Sequence, residues 1–499
     1  MTEVESSKLT LEDVLAIKYP GNVKWSSDGK RISFIWDEGG VRDLWTILVK
    51  QRNVERLTNS GVVSSPDWSP DSKSILLIQD DDIWKVDVET GNKVRLVKTR
   101  GKEAFPKWAP DGSKFCYSRK GDIWVYSFKD HSIVQLSITG KVAELAGAEN
   151  ILTWSPDGEK IAVVFVEENR MHVGVISTRS GEVIWKTKGI PIESAPIWLP
   201  DGNRLIYTRA LYGDHVRQYM LINLDSMEEQ LVLEEKDEKG LPFREPPALS
   251  PDGDSLVFVL REDLWDHLWL KSLKEGELIQ LTKGEWEDTG LGMDSPSWSP
   301  NGEKIAFSSN RDSLGERQIW TIDLKRQTKK ITSIAGTNVS PEWSPDGKSI
   351  AFIHSGPYES IDIWIVNLNE KNEPIQLTRS MPKRFTKQNM TVPDEVVYNS
   401  AEDLNVHAYL FKPKNMVTGR KYPAIVWVHG GPMRQMRYGW HPMRAYSIFY
   451  AFHQYLLQNG YVVLSVNFRG GIGYGKKYEQ GNYLSMGVND CVDVVNGAK

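Results

Sequence analysis

Residues Trp343 to Phe352 read W-S-P-D-G-K-S-I-A-F, and this stretch decides the fold because the chain repeats it. Eight copies occur, one of them with Leu in place of the first Trp. They begin at Trp25, Trp68, Trp108, Trp154, Trp198, Leu249, Trp298 and Trp343. The intervals between successive copies are 43, 40, 46, 44, 51, 49 and 45 residues. A fixed period of this size is the sequence signature of a repeat architecture.

The residue types of the motif suit a tight turn that leads into a strand. In Ser-Pro-Asp-Gly, Ser fits the first position of a type I turn, and Pro presets the backbone angle of the second. Gly at the fourth position accepts the left-handed conformation that restarts a strand. The residues after the turn, such as Ser349–Phe352, alternate in polarity and are β-prone.

Two further marks recur within most of the repeats, and copies four and five lack the first of these marks. The second mark ends in Leu-Trp or Ile-Trp and occurs at Asp43–Trp45, Asp82–Trp84, Asp122–Trp124, His267–Trp269, Gln318–Trp320 and Asp362–Trp364. The third is a Leu-Thr pair, as in Arg56-Leu-Thr58 and Gln376-Leu-Thr378. Each repeat therefore predicts about four short antiparallel strands, the blade of a β-propeller. Eight blades are favoured, and seven result if the Leu249 copy merges with a neighbour. We expect most tryptophans on the first two marks to lie in the core.

Composition describes an ordinary globular protein. The chain has 499 residues, of which 40% are hydrophobic and 25% charged, and its length favours two or more domains. A net charge of −5 gives no reason to expect nucleic acid or an anionic membrane as a partner. The sequence has no run of about 18 apolar residues, so it predicts no membrane span. The nine histidines show no ligand spacing, so we predict no metal and no cofactor.

The two cysteines and the N-terminus bear on the compartment. Cys116 falls in a repeat strand and Cys491 near the C-terminus, so no structural disulfide is expected and a reducing compartment fits. Residues 1–5 are acidic and lack the apolar stretch of a secretory signal. The sequence therefore predicts a cytoplasmic protein.

The pattern divides the chain into four parts. Residues 1–22 form an N-terminal helical segment, with Thr10 as the N-cap and Pro20-Gly21 as the stop. Residues 23–380 form the propeller. Residues 381–394 turn basic, lose the pattern and are interpreted as a linker. Residues 395–499 alternate strands and helices, which indicates an α/β sheet.

The α/β part contains the most informative strings. Tyr422–Val428 is an uninterrupted apolar strand, typical of a buried parallel sheet, and it ends on His429-Gly-Gly-Pro432. A helix is predicted over residues 445–458, a second strand over 461–466, and another helix from Asp490.

Taken together, these strings resemble the prolyl oligopeptidase family of serine peptidases, which join an N-terminal propeller to a C-terminal α/β-hydrolase domain. The matching residues are Leu9–Asp13, the W-S-P-D-G repeats, His429–Pro432, Asn467–Gly475 and the G-x-x-D-x-x-D-V string at Gly487–Val494. The resemblance implies that residues 395–499 are the N-terminal part of a hydrolase domain. It also implies a parent protein that cleaves oligopeptides through an acyl-enzyme. The alternative from another class is a non-catalytic propeller that binds a protein partner.

The resemblance assigns candidate site residues. The loop after the strand offers backbone N–H groups to an oxyanion, which makes Gly430 and Gly431 the candidates and Gly431 the favoured one. The other interpretation of this loop is a tight turn with a structural role. His429 stands where dipeptidyl peptidases carry an oxyanion-binding Tyr, which favours the acylaminoacyl-peptidase-like branch.

The family's nucleophile motif is missing from the sequence. No G-x-S-x-G string occurs, and the nearest one, around Ser485, has Tyr483 where the first Gly is needed. The resemblance places the Ser, Asp and His of the triad beyond Lys499, so we expect this chain to be an inactive fragment.

Other charged groups are weaker candidates. Glu167-Glu168 and the acidic run 234–239 are interpreted as solvated. Arg434, Arg437 and Arg444 are interpreted as exposed helix charge, with contact to a peptide carboxylate as the alternative. The insertions 209–217 and 285–294 are placed at blade edges, where propellers bind ligands. The predicted partner is a peptide substrate, and a homo-oligomer is left open.

Overall fold

Four-stranded antiparallel sheets follow one another along the first three quarters of the chain in the computed structural model. The structure describes residues 8–137, 140–143, 151–211, 215–242, 244–289, 294–369 and 373–499. Over these residues there are eight such sheets, one for each copy of the motif, with the four strands paired in chain order. This is the pattern of β-propeller blades, so the predicted fold class is confirmed. Closure of all eight sheets into one ring stays a prediction.

The first four sheets contain strands β1 to β16. Their bounds are β1 Lys18–Trp25, β2 Arg31–Glu38, β3 Val41–Leu48 and β4 Asn53–Arg56; β5 Val63–Trp68, β6 Ser74–Gln79, β7 Asp82–Asp87 and β8 Lys93–Val97; β9 Glu103–Trp108, β10 Lys114–Arg119, β11 Asp122–Ser127 and β12 Ile133–Gln135; β13 Leu152–Trp154, β14 Lys160–Glu167, β15 Arg170–Ser177 and β16 Val183–Lys186.

The next four sheets contain strands β17 to β32. Their bounds are β17 Ile192–Trp198, β18 Arg204–Leu211, β19 Val216–Asn223 and β20 Glu228–Lys236; β21 Ala248–Leu249, β22 Ser255–Leu260, β23 His267–Ser272 and β24 Leu278–Gln280; β25 Ser297–Trp298, β26 Lys304–Ser309, β27 Gln318–Asp323 and β28 Thr328–Lys330; β29 Thr337–Trp343, β30 Ser349–Ser355, β31 Asp362–Asn367 and β32 Ile375–Gln376.

The repeated turn has the chemistry that the sequence predicts. In the last copy, the Gly347 N–H donates to the Ser344 carbonyl at 2.8 Å. The Ser344 hydroxyl donates to the Asp346 carboxylate at 2.6 Å. Gly347 has φ +69°, the left-handed conformation that glycine adopts without a steric penalty. The motif is therefore a self-contained turn between the first and second strands of each sheet.

The tryptophan of the motif links neighbouring sheets. The indole N–H of Trp343 donates to the Ser297 carbonyl at 3.0 Å, across to the preceding sheet. Trp154 and Trp198 make the equivalent bonds to the carbonyls of Lys107 and Thr153, at 2.9 and 3.1 Å. Trp154 and Trp343 are buried, whereas the other tryptophans on the two marks are half-buried. Trp154, Trp198 and Trp343 therefore link neighbouring sheets, and the expectation that most of these tryptophans are fully buried does not hold.

Replacing Trp343 should test this link. Its side chain packs with Ile319, Ile350 and Phe352 and is only 9% exposed. Trp343→Ala should lower the free energy of unfolding, measured by urea denaturation, by about 3–5 kcal/mol. Trp343→Phe keeps most apolar contacts and loses the indole hydrogen bond, so it should cost about 1 kcal/mol. A loss below about 1 kcal/mol for the alanine variant would contradict the packing role.

The N-terminal helix is shorter than predicted. Helix α1 spans Leu11–Leu15, and Thr10 caps it by a reciprocal exchange of hydrogen bonds with Asp13. Strand β1 begins at Lys18, so Pro20 and Gly21 lie inside the first strand instead of ending the helix. Pro20 is tolerated because β1 is an edge strand of its sheet. Residues 1–7 of the predicted segment lie outside the described residues.

A ninth sheet follows the repeats and is of a different kind. Its strands are β33 Asp394–Asn399, β34 Asn405–Phe411, β35 Ala424–Val428 and β36 Val462–Asn467, in the order β33-β34-β36-β35. Its helices are α2 Arg444–Gln458, α3 Lys476–Glu479 and α4 Asn489–Ala498, with short 3₁₀ turns at Ala401–Asp403 and Gln480–Asn482. Strands β35 and β36 are parallel, as the strand-helix-strand order predicts.

Two expectations about this region need correction. Strand β35 was predicted to be buried, but Ala424 and Val428 are exposed because β35 is the edge strand of the sheet. The segment 381–394, interpreted as a linker, buries Phe385 and Met390 in the core that contains Trp440.

The contacts divide the chain into two compact units. One comprises Gly21–Leu256 and Ser272–Glu277. The other comprises Met1–Pro20, Val257–Lys271 and Leu278–Lys499, and so contains the last sheets of the repeat region together with the α/β sheet. The candidate site below lies within this second unit.

Candidate active site

The His429–Pro432 loop lies at the carboxyl end of strand β35. This strand pairs in parallel with β36, and helix α2 connects the two. In open α/β sheets, ligands bind in the crevice outside the carboxyl ends of the strands. The local sequence therefore places a glycine pair where this type of sheet carries its chemistry.

The two glycines expose their amide groups. The Gly430 carbonyl accepts from the Tyr446 hydroxyl at 3.2 Å and from His429 Nδ1 at 3.1 Å. Because the Gly430–Gly431 peptide is trans, the Gly431 N–H points away from these two donors. Neither glycine N–H donates a hydrogen bond to the part of the chain that the structure describes. Both glycines are exposed, so both amides are accessible to a ligand.

Gly431 is the more constrained of the pair. Its φ is +137°, which disfavours any other residue. A Cβ atom on Gly431 would lie 2.9 Å from the Met433 nitrogen and 3.1 Å from Arg434 Cγ. A Cβ atom on Gly430 would have only the Tyr446 hydroxyl within 4 Å, at 3.7 Å. The backbone at position 431 therefore needs glycine, whereas position 430 has space for a side chain.

His429 is buried and packs against an aromatic ring. Its ring stacks on Phe468, with the ring centroids 4.4 Å apart. Burial lowers the pKa of His429 to about 4, so the ring is neutral at pH 7. Since a carbonyl can only accept, the contact with Gly430 places the proton on Nδ1. Nε2 is then not a donor, and the imidazole is poorly suited to stabilise an oxyanion.

The chain after the loop is held by an asparagine. Asn467, at the end of β36, accepts from the Met436 N–H at 2.7 Å and donates to the Met436 carbonyl at 3.0 Å. Gln435 donates to the carbonyl of Leu314 at 2.8 Å, and Leu314 belongs to the loop between β26 and β27. A repeat-region loop and strand β36 thus position the segment that follows Gly431.

The glycine-rich string after β36 is anchored to the repeat region. The buried carboxylate of Glu287 accepts from the N–H groups of Gly473 and Gly475 at 3.0 and 3.1 Å. Asn310 donates to the Gly473 carbonyl at 3.1 Å. Burial raises the pKa of Glu287. Glu287 belongs to the predicted insertion 285–294, and its sequence signal is only that insertion; residues 290–293 lie outside the described residues, as do 212–214 of the other insertion.

Two of the strings that carry the resemblance meet in one buried ion pair. Arg469 follows β36, and Asp493 lies on α4. The Arg469 guanidinium donates to both carboxylate oxygens of Asp493, at 2.8 and 2.9 Å, and the Arg469 N–H donates at 3.0 Å. The Ser400 hydroxyl adds a fourth bond at 2.6 Å. These motif residues therefore join the end of β36 to α4 and have a structural role.

Of the three residues in the basic cluster, only Arg444 fits the interpretation as exposed helix charge. Arg444 begins α2 and lies over the Tyr19 ring, 5.4 Å from its centroid. Arg434 is half-buried in the loop. Arg437 is only 3% exposed and lies outside any helix, so the interpretation as exposed helix charge is wrong for this residue.

The acidic candidates are partly corrected too. Glu167 ends β14 and forms ion pairs with Lys141 and Lys186 at 3.1 and 2.7 Å. Residues 234–236 belong to β20, and Glu235 is buried next to Arg217, with which it pairs at 3.4 Å. The run 234–239 is therefore half strand and not a wholly solvated loop.

Metal and membrane features can be stated for the described ranges only. Within them, no group of three or more His, Cys, Asp or Glu side chains is placed to hold a metal ion. No helix in the same ranges is long and apolar enough to cross a membrane. Cys116 is buried and Cys491 exposed, and both are free thiols.

A buried histidine on α2 predicts acid sensitivity. His453 packs between the rings of Phe411 and Trp427, and burial lowers its pKa to about 3. The folded state therefore binds fewer protons than the unfolded state, and stability is lost as pH falls from the ordinary pKa of 6.5 towards 3. This ring alone should make the protein about 2 kcal/mol less stable at pH 5 than at pH 7.

The measurement is urea unfolding of the wild type and His453→Phe at several pH values. The phenylalanine variant should lose less stability between pH 7 and pH 5. His215→Phe, at an exposed position, is the matched control and should follow the wild type. Parallel curves for the wild type and His453→Phe would show that the imidazole is already protonated or solvated in the folded state.

Comparison with known proteins covers both parts of the chain. Residues 84–183 match the model of the dipeptidyl peptidase IV N-terminal region, and residues 215–398 match the TolB β-propeller domain. Residues 448–499 match the prolyl oligopeptidase family model. The C-terminal region is thus similar to the prolyl oligopeptidase family, and the repeat region is similar to propeller domains.

Relatives of this family align over long stretches. The chain is 23% identical over 451 residues to the uncharacterized peptidase YuxL of Bacillus subtilis, covering 69% of this chain and 65% of that protein. It is 23% identical over 495 residues to dipeptidyl-peptidase 5 of Porphyromonas gingivalis, covering 95% of this chain and 63% of that protein. The chain therefore spans less than two thirds of the length of each of these two proteins.

A solved structure shares the fold. Dipeptidyl peptidase 4 of Porphyromonas gingivalis superposes with a TM-score of 0.78 at 16% identity, over 99% of this chain and 79% of that one. A puromycin-hydrolyzing peptidase of Mycobacterium tuberculosis gives a TM-score of 0.67 at 15% identity, over 98% of this chain and 72% of that one. At these identities the two likenesses show the fold alone.

Proposed function

We propose that the complete protein is a serine peptidase that cleaves oligopeptides through an acyl-enzyme. The observation that carries this proposal is the exposed Gly430-Gly431 pair at the carboxyl end of β35, with amides free to bind an oxyanion. The similarity to the prolyl oligopeptidase family and the peptidase names of the relatives support the reaction class. In this proposal residues 23–380 form the propeller that restricts access to peptides, and residues 395–499 begin the hydrolase domain.

We further propose that the nucleophile, its base and the orienting acid are supplied by residues beyond Lys499. The sequence contains no G-x-S-x-G string. Ser485, the nearest candidate, lies in the turn before α4, and its hydroxyl accepts from the Asn489 amide at 3.3 Å. A nucleophilic serine needs instead a histidine base within hydrogen-bonding distance of its hydroxyl. The lengths of the relatives leave room for such residues.

Oxyanion binding in this proposal uses backbone amides and not a side chain. The neutral, Nδ1-protonated ring of His429 faces the Gly430 carbonyl, which supports the acylaminoacyl-peptidase-like arrangement. A reducing, cytoplasmic setting is proposed from the two free cysteines. The substrate is proposed only as a class, namely oligopeptides.

An activity-based probe tests the assignment of the nucleophile. A fluorophosphonate, which labels activated serines, should leave residues 1–499 unmodified at neutral pH. The same probe should label the full-length protein at one serine, which peptide mapping should locate beyond Lys499. Stoichiometric labelling of Ser485 or any other serine of the 499-residue chain would overturn the proposal. Absence of labelling in both proteins would reject the peptidase function itself.

A further inference from the structure

Arg437 is a buried cation without a bonding partner. It lies five residues after the Gly-Pro of the candidate oxyanion loop and is 3% exposed. None of its three guanidinium nitrogens forms a hydrogen bond within the described residues. A buried charge normally requires a paired counter-charge, since removing it from water costs several kcal/mol. The position is therefore unusual and needs an explanation.

The nearby carboxylates are engaged elsewhere. Glu287 and Asp294 both interact electrostatically with Arg437. One Glu287 oxygen accepts from the amides of Gly473 and Gly475, and the other has no hydrogen bond but lies 3.6 Å from Nη2 of Arg317. The Asp294 carboxylate accepts from the Ser308 hydroxyl and from the Ser340 N–H. Neither acid offers Arg437 a hydrogen bond.

A second buried cation, Arg317, differs from Arg437 because it has an acidic partner. Arg317 is fully buried, and its Nη1 donates to the backbone carbonyls of Glu287 and Thr289. Its Nη2 lies 3.6 Å from the Glu287 carboxylate and so forms an ion pair. Burial, followed by the positive charge of Arg317, lowers the pKa of Arg437 to about 9. Among the described residues Arg437 has no such ion pair, which favours an anion beside it.

Arg437 lines a small cavity, here called the Arg437 cavity. Its other walls include Tyr409, His441, His453, Trp427 and Tyr450, and its volume is about 20 Å³. This volume holds one water molecule or one monatomic ion, since a water needs about 10–15 Å³ by the same measure. A carboxylate or a phosphate has several heavy atoms and exceeds it.

Two polar groups on the walls, besides Arg437, have a proton free to donate. His441 Nδ1 accepts from the Met443 N–H at 2.9 Å, which leaves the ring proton on Nε2. The Tyr409 hydroxyl and His441 Nε2 have no hydrogen-bond partner among the described side chains and backbone. Aromatic rings present positive edges to a neighbouring group. A water molecule could accept from these donors but would leave the charge of Arg437 uncompensated, whereas an anion both accepts from them and neutralises the charge.

We propose that the Arg437 cavity binds one small monovalent anion, of the size and charge of chloride. The guanidinium of Arg437 supplies the charge, and the donors of Tyr409 and His441 complete the coordination. The anion neutralises the buried cation beside the candidate oxyanion loop and so stabilises the packing of residues 434–441. This site is independent of the catalytic triad and does not rest on the proposed peptidase function.

Bromide tests the site directly, because it scatters anomalously and has a similar size. Crystals of the 499-residue chain soaked in sodium bromide should show an anomalous peak within hydrogen-bond distance of the Arg437 guanidinium. In solution, the melting temperature should rise in a saturable way with chloride or bromide, compared with sodium gluconate at equal ionic strength. No bromide peak in the wild-type cavity, or a water molecule there in its place, would overturn the proposal.

Substitutions of Arg437 test whether this residue binds the halide. Arg437→Met should abolish the bromide peak and weaken the halide dependence of the melting temperature by roughly 10- to 100-fold in apparent affinity, as expected for a lost bond to a charged group. Arg437→Lys keeps the charge and should retain part of the binding, which guards against a methionine variant that does not fold. Arg434→Met, three residues earlier, is the matched control and should bind bromide like the wild type. A peak that persists in Arg437→Met would reject the assignment.

Discussion

In the full-length protein, Gly431→Val should lower kcat about 10²- to 10³-fold, the usual effect of losing one oxyanion donor. The φ of +137° disfavours a side chain at this position, and the new Cβ would lie 2.9 Å from the Met433 nitrogen. The backbone must shift to relieve this contact, and the Gly431 N–H moves with it. Because the amide is used in the transition state, kcat should fall more than KM changes.

Two control variants make this prediction specific. Gly430→Ala introduces a side chain at a position whose nearest neighbour is the Tyr446 hydroxyl at 3.7 Å, so it should reduce kcat much less than Gly431→Ala. His429→Ala removes a neutral ring that stacks on Phe468, so its main effect should be on stability. If His429→Ala lowers kcat more than Gly431→Val does, the imidazole acts as the donor and the glycine assignment is wrong.

Asp493→Ala should destabilise the chain by about 3–5 kcal/mol, as the removal of one partner from a buried ion pair does. Asp493 is fully buried and accepts three hydrogen bonds from Arg469 and one from Ser400. Without it, the Arg469 guanidinium keeps Glu402 and the Ala401 carbonyl as partners among the described residues. The measurement is urea unfolding of the 499-residue chain.

Asp490→Ala is the matched control for this ion pair. Asp490 lies on the same helix, and its carboxylate accepts from the N–H of the adjacent Cys491 at 2.9 Å. Its replacement should change the free energy of unfolding by less than about 1 kcal/mol. Equal losses for the two variants would mean that α4 tolerates no change at its start, and the structural role of the Arg469–Asp493 pair would be unsupported.

The sequence predicts the repeat region well because its signals are local. The Ser-Pro-Asp-Gly turn forms within a few residues, and its hydrogen bonds, such as Ser344 to Asp346, join positions two apart. Helix α2 likewise follows from apolar spacing and ends at Gln458, two residues before Gly460. The start of β1 at Lys18 was missed because an outer strand tolerates Pro20, so the proline did not mark an end.

The candidate site depends on contacts between residues that are distant in the sequence. Glu287 and Gly473 are 186 positions apart, and no local pattern connects them. Charged and aromatic residues surround Arg437 in the sequence, and this pattern predicts an exposed side chain. In the structure Arg437 is buried. The glycine pair was identified only through the resemblance to a family. Burial of charge is set by the packing of several segments at once, which periodicity does not report.

Glu287 and Asn310 form hydrogen bonds with Gly473 and Gly475, and these bonds limit how the repeat region can be joined to the α/β region of another protein. A chimera that joins these repeats to the α/β region of a relative separates the carboxylate from the amides that satisfy it. The position at which the two sequences are joined then matters less than the origin of the hydrogen-bonded residues. The carboxylate and the glycine amides should come from the same protein. Gene fusions designed on this scaffold should therefore transfer residues 285–289, 310 and 473–475 as one set.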